Sequence, residues 1–135
     1  GLIIACGTVL ADCHRAIELL HCEGLNVGLI NARFVKPLDT DTILSAMETA
    51  PFIVTVEEGM LAGGFGSAVL EAACDAGLDT THLRRLGIPD RFVEHGDRAE
   101  LLAELGLNAE GIAAACRRLA VRRETGAPPV RQTAR

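Results

Sequence analysis

Apolar residues alternate along the chain between short continuous runs and stripes with helical spacing. Continuous apolar runs are typical of β-strands buried on both faces of a sheet. They fall at residues 2–6, at 27–30 with a predicted continuation toward Phe34, at 52–56 and, less regularly because of two adjacent arginines, at 80–86. Stripes repeating every three or four positions are typical of amphipathic helices, and they fall at residues 9–20, 41–49, 67–76 and 109–119. Strands and helices are therefore predicted to alternate.

This alternation predicts an α/β fold: a three-layer α/β/α sandwich around a mostly parallel sheet of four or five strands. Gly24 and Gly77 follow two of the helical stripes, at positions where glycine commonly ends a helix. Asp97 begins a sequence that matches the capping box of a further short helix. We expect one domain over residues 1–124 and a disordered tail, rich in Pro and Arg, over residues 125–135.

Composition narrows the classes of protein. With 135 residues, of which 49% are hydrophobic and 23% charged, the chain suits one compact core and is too apolar for intrinsic disorder. No apolar run approaches the roughly 18 residues that cross a bilayer, so we expect no membrane segment. The chain lacks an initial Met and opens directly into the strand-like run Leu2 to Ala5. We therefore expect a piece of a longer polypeptide.

Charge and cysteine content bear on partners and location. The net charge is −5, only 3% of residues are aromatic, and Trp and Tyr are absent. Few side chains could stack on bases, so we expect no nucleic-acid partner. Residues 117–135 hold six arginines and one glutamate, which is typical of a solvated helix end and terminus. The five cysteines are widely spaced without a Cys-x-x-Cys pair, which favours a reduced, cytoplasmic protein.

The segment with the most chemistry follows the strand at residues 52–56. Glu57 and Glu58 come at its carboxyl end, where α/β sheets gather functional groups. The glycine-rich turn Gly63-Gly64-Phe65-Gly66 then leads into a helix. Its free N–H groups could hold an anion, or a carboxylate from the same chain or from a partner subunit. A turn that serves helix packing alone is the alternative.

The side chains of two other segments each allow more than one role. Arg33 and Lys36 come just past a strand end, and they could meet a phosphate or a partner carboxylate, or simply face water. His95 lies on a loop entering a helix, and it could shuttle protons or anchor the loop through hydrogen bonds.

One helix face has the spacing of a metal site. His14, Glu18 and His21 lie at i, i+4 and i+7, with Cys22 adjacent. Because this face is opposite the apolar stripe, a solvated surface is favoured, and we predict no metal site.

Taken in order, four segments resemble the C-terminal, transketolase-type domain of 1-deoxy-D-xylulose-5-phosphate synthases. They are Asn31 to Asp39, Val56 to Glu58 with Gly63 to Val69, Leu86 to Gly96, and Leu105 to Asn108 with Gly111 and Ile112. The resemblance extends over about residues 1–120. Related domains share Pro-Leu-Asp and the acidic strand end, whereas Gly-Ile-Pro-Asp-x-Phe-x-x-His-Gly at residues 87–96 singles out the synthase.

The resemblance implies a full-length homodimeric enzyme that joins pyruvate and glyceraldehyde 3-phosphate, releases CO₂ and gives 1-deoxy-D-xylulose 5-phosphate. That product supplies isoprenoid, thiamine and pyridoxal synthesis. The resemblance also implies thiamine diphosphate and Mg²⁺, held by N-terminal and middle domains missing from this chain, which has no Gly-Asp-Gly…Asn motif. For the isolated chain we expect no catalytic residue, no bound cofactor and no activity. Its expected role is interdomain and dimer packing.

The expected interdomain or inter-subunit surface contains both carboxylates and the glycine-rich turn: Glu57, Glu58, Gly63, Gly64, Phe65 and Gly66. Arg33, Lys36 and His95 are candidates for anion or interdomain contacts. Two alternatives stay open at this point. One is the C-terminal domain of a 2-oxo acid dehydrogenase β subunit, and the other is a free-standing anion-binding or regulatory module.

Overall fold

A computed structural model describes residues 1–125, in which strands and helices alternate as predicted. The strands are β1 (Leu2–Cys6), β2 (Gly28–Asn31), β3 (Ile53–Met60) and β4 (Leu83–Ile88). The helices are α1 (Leu10–Cys22), α2 (Thr40–Thr49), α3 (Phe65–Asp75), α4 (Arg98–Glu104) and α5 (Ala109–Thr125). Helix α5 includes Thr125, and the rest of the predicted tail, 126–135, lies outside the described residues.

The strands form one parallel sheet in the order β2-β1-β3-β4. In the middle of the ladder, Ile4 of β1 is in register with Ile30 of β2 on one side and Thr55 of β3 on the other. Parallel neighbours need crossover connections, which the helices supply, and helices on both faces bury the sheet. The predicted three-layer α/β/α fold is confirmed, with four strands in the part of the chain that the structure describes.

Alternate side chains of the sheet enter two separate cores. Ile3 and Val54 pack on the face covered by α1, α4 and α5, whereas Ile4 and Ile53 pack on the face covered by α2 and α3. Side chains of this kind each stabilise the fold by about 1.5–3 kcal/mol when fully buried. The central strands β1 and β3 are therefore stabilised from both faces of the sheet.

Capping side chains begin three of the helices, including α4, whose capping box the sequence predicts. Asp39 accepts a hydrogen bond from an N–H group in the first turn of α2 at 3.2 Å, and Asp97 accepts one in α4 at 2.8 Å. Asn108 accepts one from Gly111 N–H at 2.9 Å at the start of α5. These oxygens satisfy backbone donors that have no partner within the helix.

Strands β2 and β3 end at other residues than predicted, and β4 (Leu83–Ile88) lies a few residues later than the run at 80–86. Strand β3 does not end before Glu57 but continues to Met60, with an irregularity in its pairing with β4 between Val56 and Met60. Backbone pairing does not require an apolar side chain, so the strand can be longer than the run of apolar residues. Strand β2 ends at Asn31 because Arg33 has a φ of 55°, in the left-handed region, which a strand cannot continue through.

Loops that follow the carboxyl ends of the strands meet along one side of the sheet, which we call the carboxyl edge. It comprises residues 7–9, 32–39, 61–64 and 89–97 and the strand ends beside them. The chain passes from β1 outward to β2 and then returns to β3 on the other side of β1. Open α/β sheets place their ligand crevices at such a switch point, outside the strand ends.

Candidate functional site at the carboxyl edge

The Glu57 carboxylate is bound within the chain. Its side chain leaves β3 toward the start of α3, and the residue is only 6% exposed. Oε2 accepts a hydrogen bond from Phe65 N–H at 2.7 Å, and Oε1 accepts one from Gly66 N–H at 2.8 Å. The positive end of the α3 dipole therefore faces a carboxylate of the same chain. Of the three occupants that the sequence allows for this turn, the structure shows this one.

Close packing around Glu57 explains the glycines of the turn. A Cβ on Gly64 would lie 2.0 Å from the Met60 carbonyl oxygen and 2.3 Å from Oε2 of Glu57. A Cβ on Gly66 would lie 2.6 Å from Oγ1 of Thr55. Both positions exclude a side chain, because each backbone segment lies directly against a neighbour. Gly63 differs, since it has open space but a φ of 73° that favours glycine.

Ser67 and Arg85 hold the turn from its other side. Ser67 Oγ donates a hydrogen bond to the Leu61 carbonyl oxygen at 2.9 Å and accepts one from Gly63 N–H at 3.1 Å. Nη1 of Arg85 donates to Ser67 Oγ at 2.7 Å and to the same Leu61 oxygen at 2.8 Å. Arg85 reaches the turn because alternate residues of β4 face opposite sides of the sheet. The sequence predicts no role for it.

Glu58 takes part in an ion pair that crosses the switch point. Nε of Arg98, at the start of α4, donates to Oε1 of Glu58 at 2.9 Å, and Nη2 donates to Oε2 at 2.5 Å. Thr8, which follows β1, donates its hydroxyl to Glu58 and accepts a hydrogen bond from Arg98 Nη2 at 3.3 Å. The hydrogen bonds from Arg98 and Thr8 lower the pKa of Glu58, and Glu58 raises the pKa of Arg98.

A cavity of about 440 Å³ lies beside this ion pair. Ile88, Val93 and Leu101 form much of its apolar wall, and Glu58, His95 and Arg98 supply polar groups. His95 is exposed. Because Arg98 is already paired with Glu58, the cavity suits an apolar side chain of another segment better than it suits an anion.

The loop after β2 carries Arg33 and Lys36 on the exposed surface. Arg33 N–H donates to Oδ1 of Asn31 at 3.2 Å, which supports the left-handed backbone at Arg33. No ion pair to either side chain occurs within residues 1–125. The loop therefore presents two cations to solvent at the carboxyl edge, separate from the buried Glu57 carboxylate.

The helix face considered as a metal site is exposed. His14, Glu18, His21 and Cys22 all lie on the solvent side of α1. Among the residues described by the structure, no group of three or more His, Cys, Asp or Glu side chains is placed to hold a metal ion.

Exposed apolar side chains concentrate at the carboxyl edge. In the described part of the chain, six large apolar residues are exposed, and four of them lie at this edge: Phe34, Val35, Met60 and Phe92. Phe92 is fully exposed. Apolar side chains gathered in one region of a surface commonly mark a site of interaction with another protein segment. No helix within residues 1–125 is long and apolar enough to span a membrane.

The fold and this edge together define a parallel α/β/α domain that binds one of its own carboxylates and exposes apolar side chains along its carboxyl edge. The family model described as "Transketolase, C-terminal domain" matches residues 2–112. The chain belongs to this family, which confirms the resemblance drawn from the four sequence segments.

Two 1-deoxy-D-xylulose-5-phosphate synthases are similar to this chain over most of its length. The chain is 48% identical over 120 residues to a 1-deoxy-D-xylulose-5-phosphate synthase of Rhodopirellula baltica, a match covering 89% of this chain and 19% of the relative. It is 53% identical over 112 residues to the synthase of Synechococcus sp. (strain JA-2-3B'a(2-13)), covering 83% and 17%. The chain thus spans about a fifth of the length of these relatives.

A solved structure agrees with the fold over nearly the whole chain. It is described as a split gene transketolase, inactive beta4 tetramer, and it superposes with a TM-score of 0.77 at 28% sequence identity. The match covers 89% of this chain and 38% of that one.

Proposed function

We propose that this chain is the C-terminal part of a thiamine diphosphate-dependent enzyme that condenses pyruvate with glyceraldehyde 3-phosphate and releases CO₂. The observation that carries the proposal is its similarity to 1-deoxy-D-xylulose-5-phosphate synthases over most of its length. Residues 87–96, which single out these synthases in the sequence, form the last strand end and the loop beside the cavity. The product would supply isoprenoid, thiamine and pyridoxal synthesis.

The chain's own residues do not fit the diphosphate and its Mg²⁺. A metal-bound diphosphate needs a cluster of oxygen ligands, and the described residues contain no group of three or more suitable side chains. The Glu57 carboxylate is already bonded to Phe65 and Gly66 N–H. We therefore assign the cofactor to the preceding domains of the polypeptide, and we derive no chemical step from this chain.

The domain's own role is to pack against those preceding domains through the carboxyl edge. The relatives are about five times as long as this chain, so a large preceding segment is available to cover the edge. Phe34, Met60 and Phe92 would supply apolar contacts, while Arg33 and Lys36 would supply charged ones. Of the expected surface, Glu57, Phe65 and Gly66 are buried, so Glu58, Gly63 and Gly64 are the members accessible to a partner.

Assay of the full-length parent tests the reaction. With pyruvate and glyceraldehyde 3-phosphate, we expect CO₂ release and formation of 1-deoxy-D-xylulose 5-phosphate. Acyl transfer to a lipoyl group instead would assign the parent to the 2-oxo acid dehydrogenases and overturn the proposal. For the isolated chain, calorimetric titration with thiamine diphosphate and Mg²⁺ should show no binding. Tight stoichiometric binding would contradict the assignment of the cofactor to the preceding domains.

Hydrogen exchange tests the packing role. The amides of residues 32–39 and 89–97 should exchange more slowly in the full-length parent than in this chain, because the parent covers the carboxyl edge. Phe92→Asp in the parent should restore fast exchange there, whereas Val121→Asp, an exposed apolar residue on α5, should not. Equal exchange in parent and chain would refute the role. We propose a homodimeric parent, and protection that disappears on dilution to monomers would assign the edge to the subunit interface instead.

A further inference from the structure

Three arginines converge on the opposite face of β4 from the glycine-rich turn. Arg84 lies in β4, and Arg118 and Arg122 lie one turn apart on α5. They line a cavity of about 160 Å³, with Ala115 and Leu119 completing its wall. Because residues alternate along a strand, Arg84 faces α5 while its neighbour in sequence faces α3. We call this cavity the arginine pocket.

The pocket concentrates positive charge in a chain whose net charge is negative. Burial and the charges of Arg118 and Arg122 lower the pKa of Arg84. Nε of Arg122 is buried and has no hydrogen-bond partner among the described residues. Arg84 makes a further interaction of its own, so the site depends chiefly on the two arginines of α5.

Another arginine of α5 already has a carboxylate partner, and it provides a comparison. Arg117, on the same helix, binds both carboxylate oxygens of Glu23 at 2.6 and 2.7 Å. Arg118 and Arg122 form no ion pair with any side chain in the described part of the chain. Like charges placed together repel, and a buried donor without a partner is destabilising. An anion bound in the pocket would offset the repulsion between the arginines and would give the buried Nε–H group of Arg122 a hydrogen-bond partner.

We propose that the arginine pocket binds a phosphate group. Guanidinium groups present pairs of N–H donors that match the oxygens of a phosphate. Arg122 Nε and the guanidinium group of Arg118 supply the donors, and Arg84 adds positive charge beside them. The site is separate from the carboxyl edge and independent of the proposed reaction, because it lies on the face packed by α5.

Titration of the full 135-residue chain with inorganic phosphate tests the pocket. Phosphate replaces chloride at constant ionic strength, and ¹H–¹⁵N spectra follow the backbone of β4 and α5 together with the arginine Nε–H groups. We expect saturable shifts at Arg84, Arg118 and Arg122. Arg118→Gln and Arg122→Gln should each weaken binding roughly tenfold or more, because each removes charge-assisted hydrogen bonds.

Arg117→Gln is the matched control, since it removes the same charge from the same helix outside the pocket. It should leave phosphate affinity unchanged within about twofold, as expected for an independent site. The proposal is overturned if Arg117→Gln weakens binding as much as the pocket variants do, or if the shifts map only to the arginines of the tail. It is also overturned if no saturation occurs by about 20 mM phosphate, where a site with a millimolar dissociation constant would be filled. Saturable binding of an acidic peptide but not of phosphate would assign the pocket to a protein partner instead.

Discussion

Gly64 lies so close to Glu57 that the two residues act as one structural unit. A Cβ on Gly64 would be 2.3 Å from Oε2 of Glu57 and 2.0 Å from the carbonyl oxygen of Met60. The same Oε2 accepts the hydrogen bond from Phe65 N–H that begins α3. The end of β3 and the start of α3 are therefore joined by a buried carboxylate and by the absence of a side chain beside it.

Gly64→Ala should destabilise the fold strongly. The added methyl group has no space, because one neighbour is backbone and the other is a bonded carboxylate, so β3 or α3 must shift. We expect a loss of about 2 kcal/mol or more in the free energy of unfolding, as for severe overpacking, measured by urea denaturation.

Gly28→Ala is the control for Gly64→Ala. Its Cβ would meet only Leu2 Cδ1 at 3.7 Å and the Gly1 carbonyl oxygen at 3.9 Å, which are ordinary contacts. Stability should therefore change little. Equal losses in the two variants would show that the turn tolerates a side chain and that the close approach is not limiting.

Glu57→Gln should also destabilise the domain, although it preserves shape. The two carboxylate oxygens accept from different backbone donors, Phe65 N–H and Gly66 N–H. A glutamine offers one oxygen, and its NH₂ group would face the other donor. We expect a loss of about 1–3 kcal/mol, the typical penalty for a buried donor left without a partner.

The same change at Glu71, an exposed residue on α3, provides the comparison. Glu71→Gln should alter the free energy of unfolding by less than about 0.5 kcal/mol, as most surface changes do. If Glu57→Gln were as mild, the paired hydrogen bonds to the start of α3 would not contribute measurably to stability.

Local patterns account for much of the fold and for only part of the site. Apolar runs and stripes indicate which positions are buried, and the capping box at Asp97 indicates where α4 begins, so the element order was predictable. Proximity of Glu57 to the turn was predictable too, because the two are close in sequence. Which carboxylate would occupy the turn was not, since that depends on how β3 continues past Val56.

Contacts between residues that are far apart in the sequence were not predicted. Arg98 binds Glu58 across 40 residues, and Thr8, which contacts both, is 50 residues from Glu58 and 90 from Arg98. These three residues meet because β1 and β3 are adjacent and α4 begins beside their carboxyl ends. This arrangement depends on the order of the strands in the sheet, which local periodicity does not reveal. Arg84 and Arg85 illustrate the same limit. They interrupt the apolar pattern, but only the pairing of β4 shows that they serve opposite faces of the sheet.

Cysteine reactivity should follow burial. Burial raises the pKa of Cys13 to about 12 and that of Cys116 to about 11, so their reactive thiolates are scarce at neutral pH. Cys22 and Cys74 are exposed. A short pulse of iodoacetamide at about pH 8, followed by mass spectrometry, should label Cys22 and Cys74 in the native chain and the buried pair only after unfolding in urea. Native labelling of Cys13 as fast as Cys22 would contradict the packing of α1.

The ion pair between Glu58 and Arg98 should stabilise the domain at neutral pH and not in acid. The folded state lowers the pKa of Glu58 through hydrogen bonds from Arg98 and Thr8, below its ordinary value of 4.5. A lowered folded pKa contributes stability above the unfolded pKa, and this is lost as pH falls through the folded value. A double-mutant cycle of Glu58→Gln and Arg98→Gln, by urea denaturation, should therefore give a favourable coupling energy at pH 7 that is smaller at a pH well below 4.5. The cycle cancels the titration of other groups, so a coupling energy equal at both pH values would show that the charge on Glu58 does not stabilise this contact.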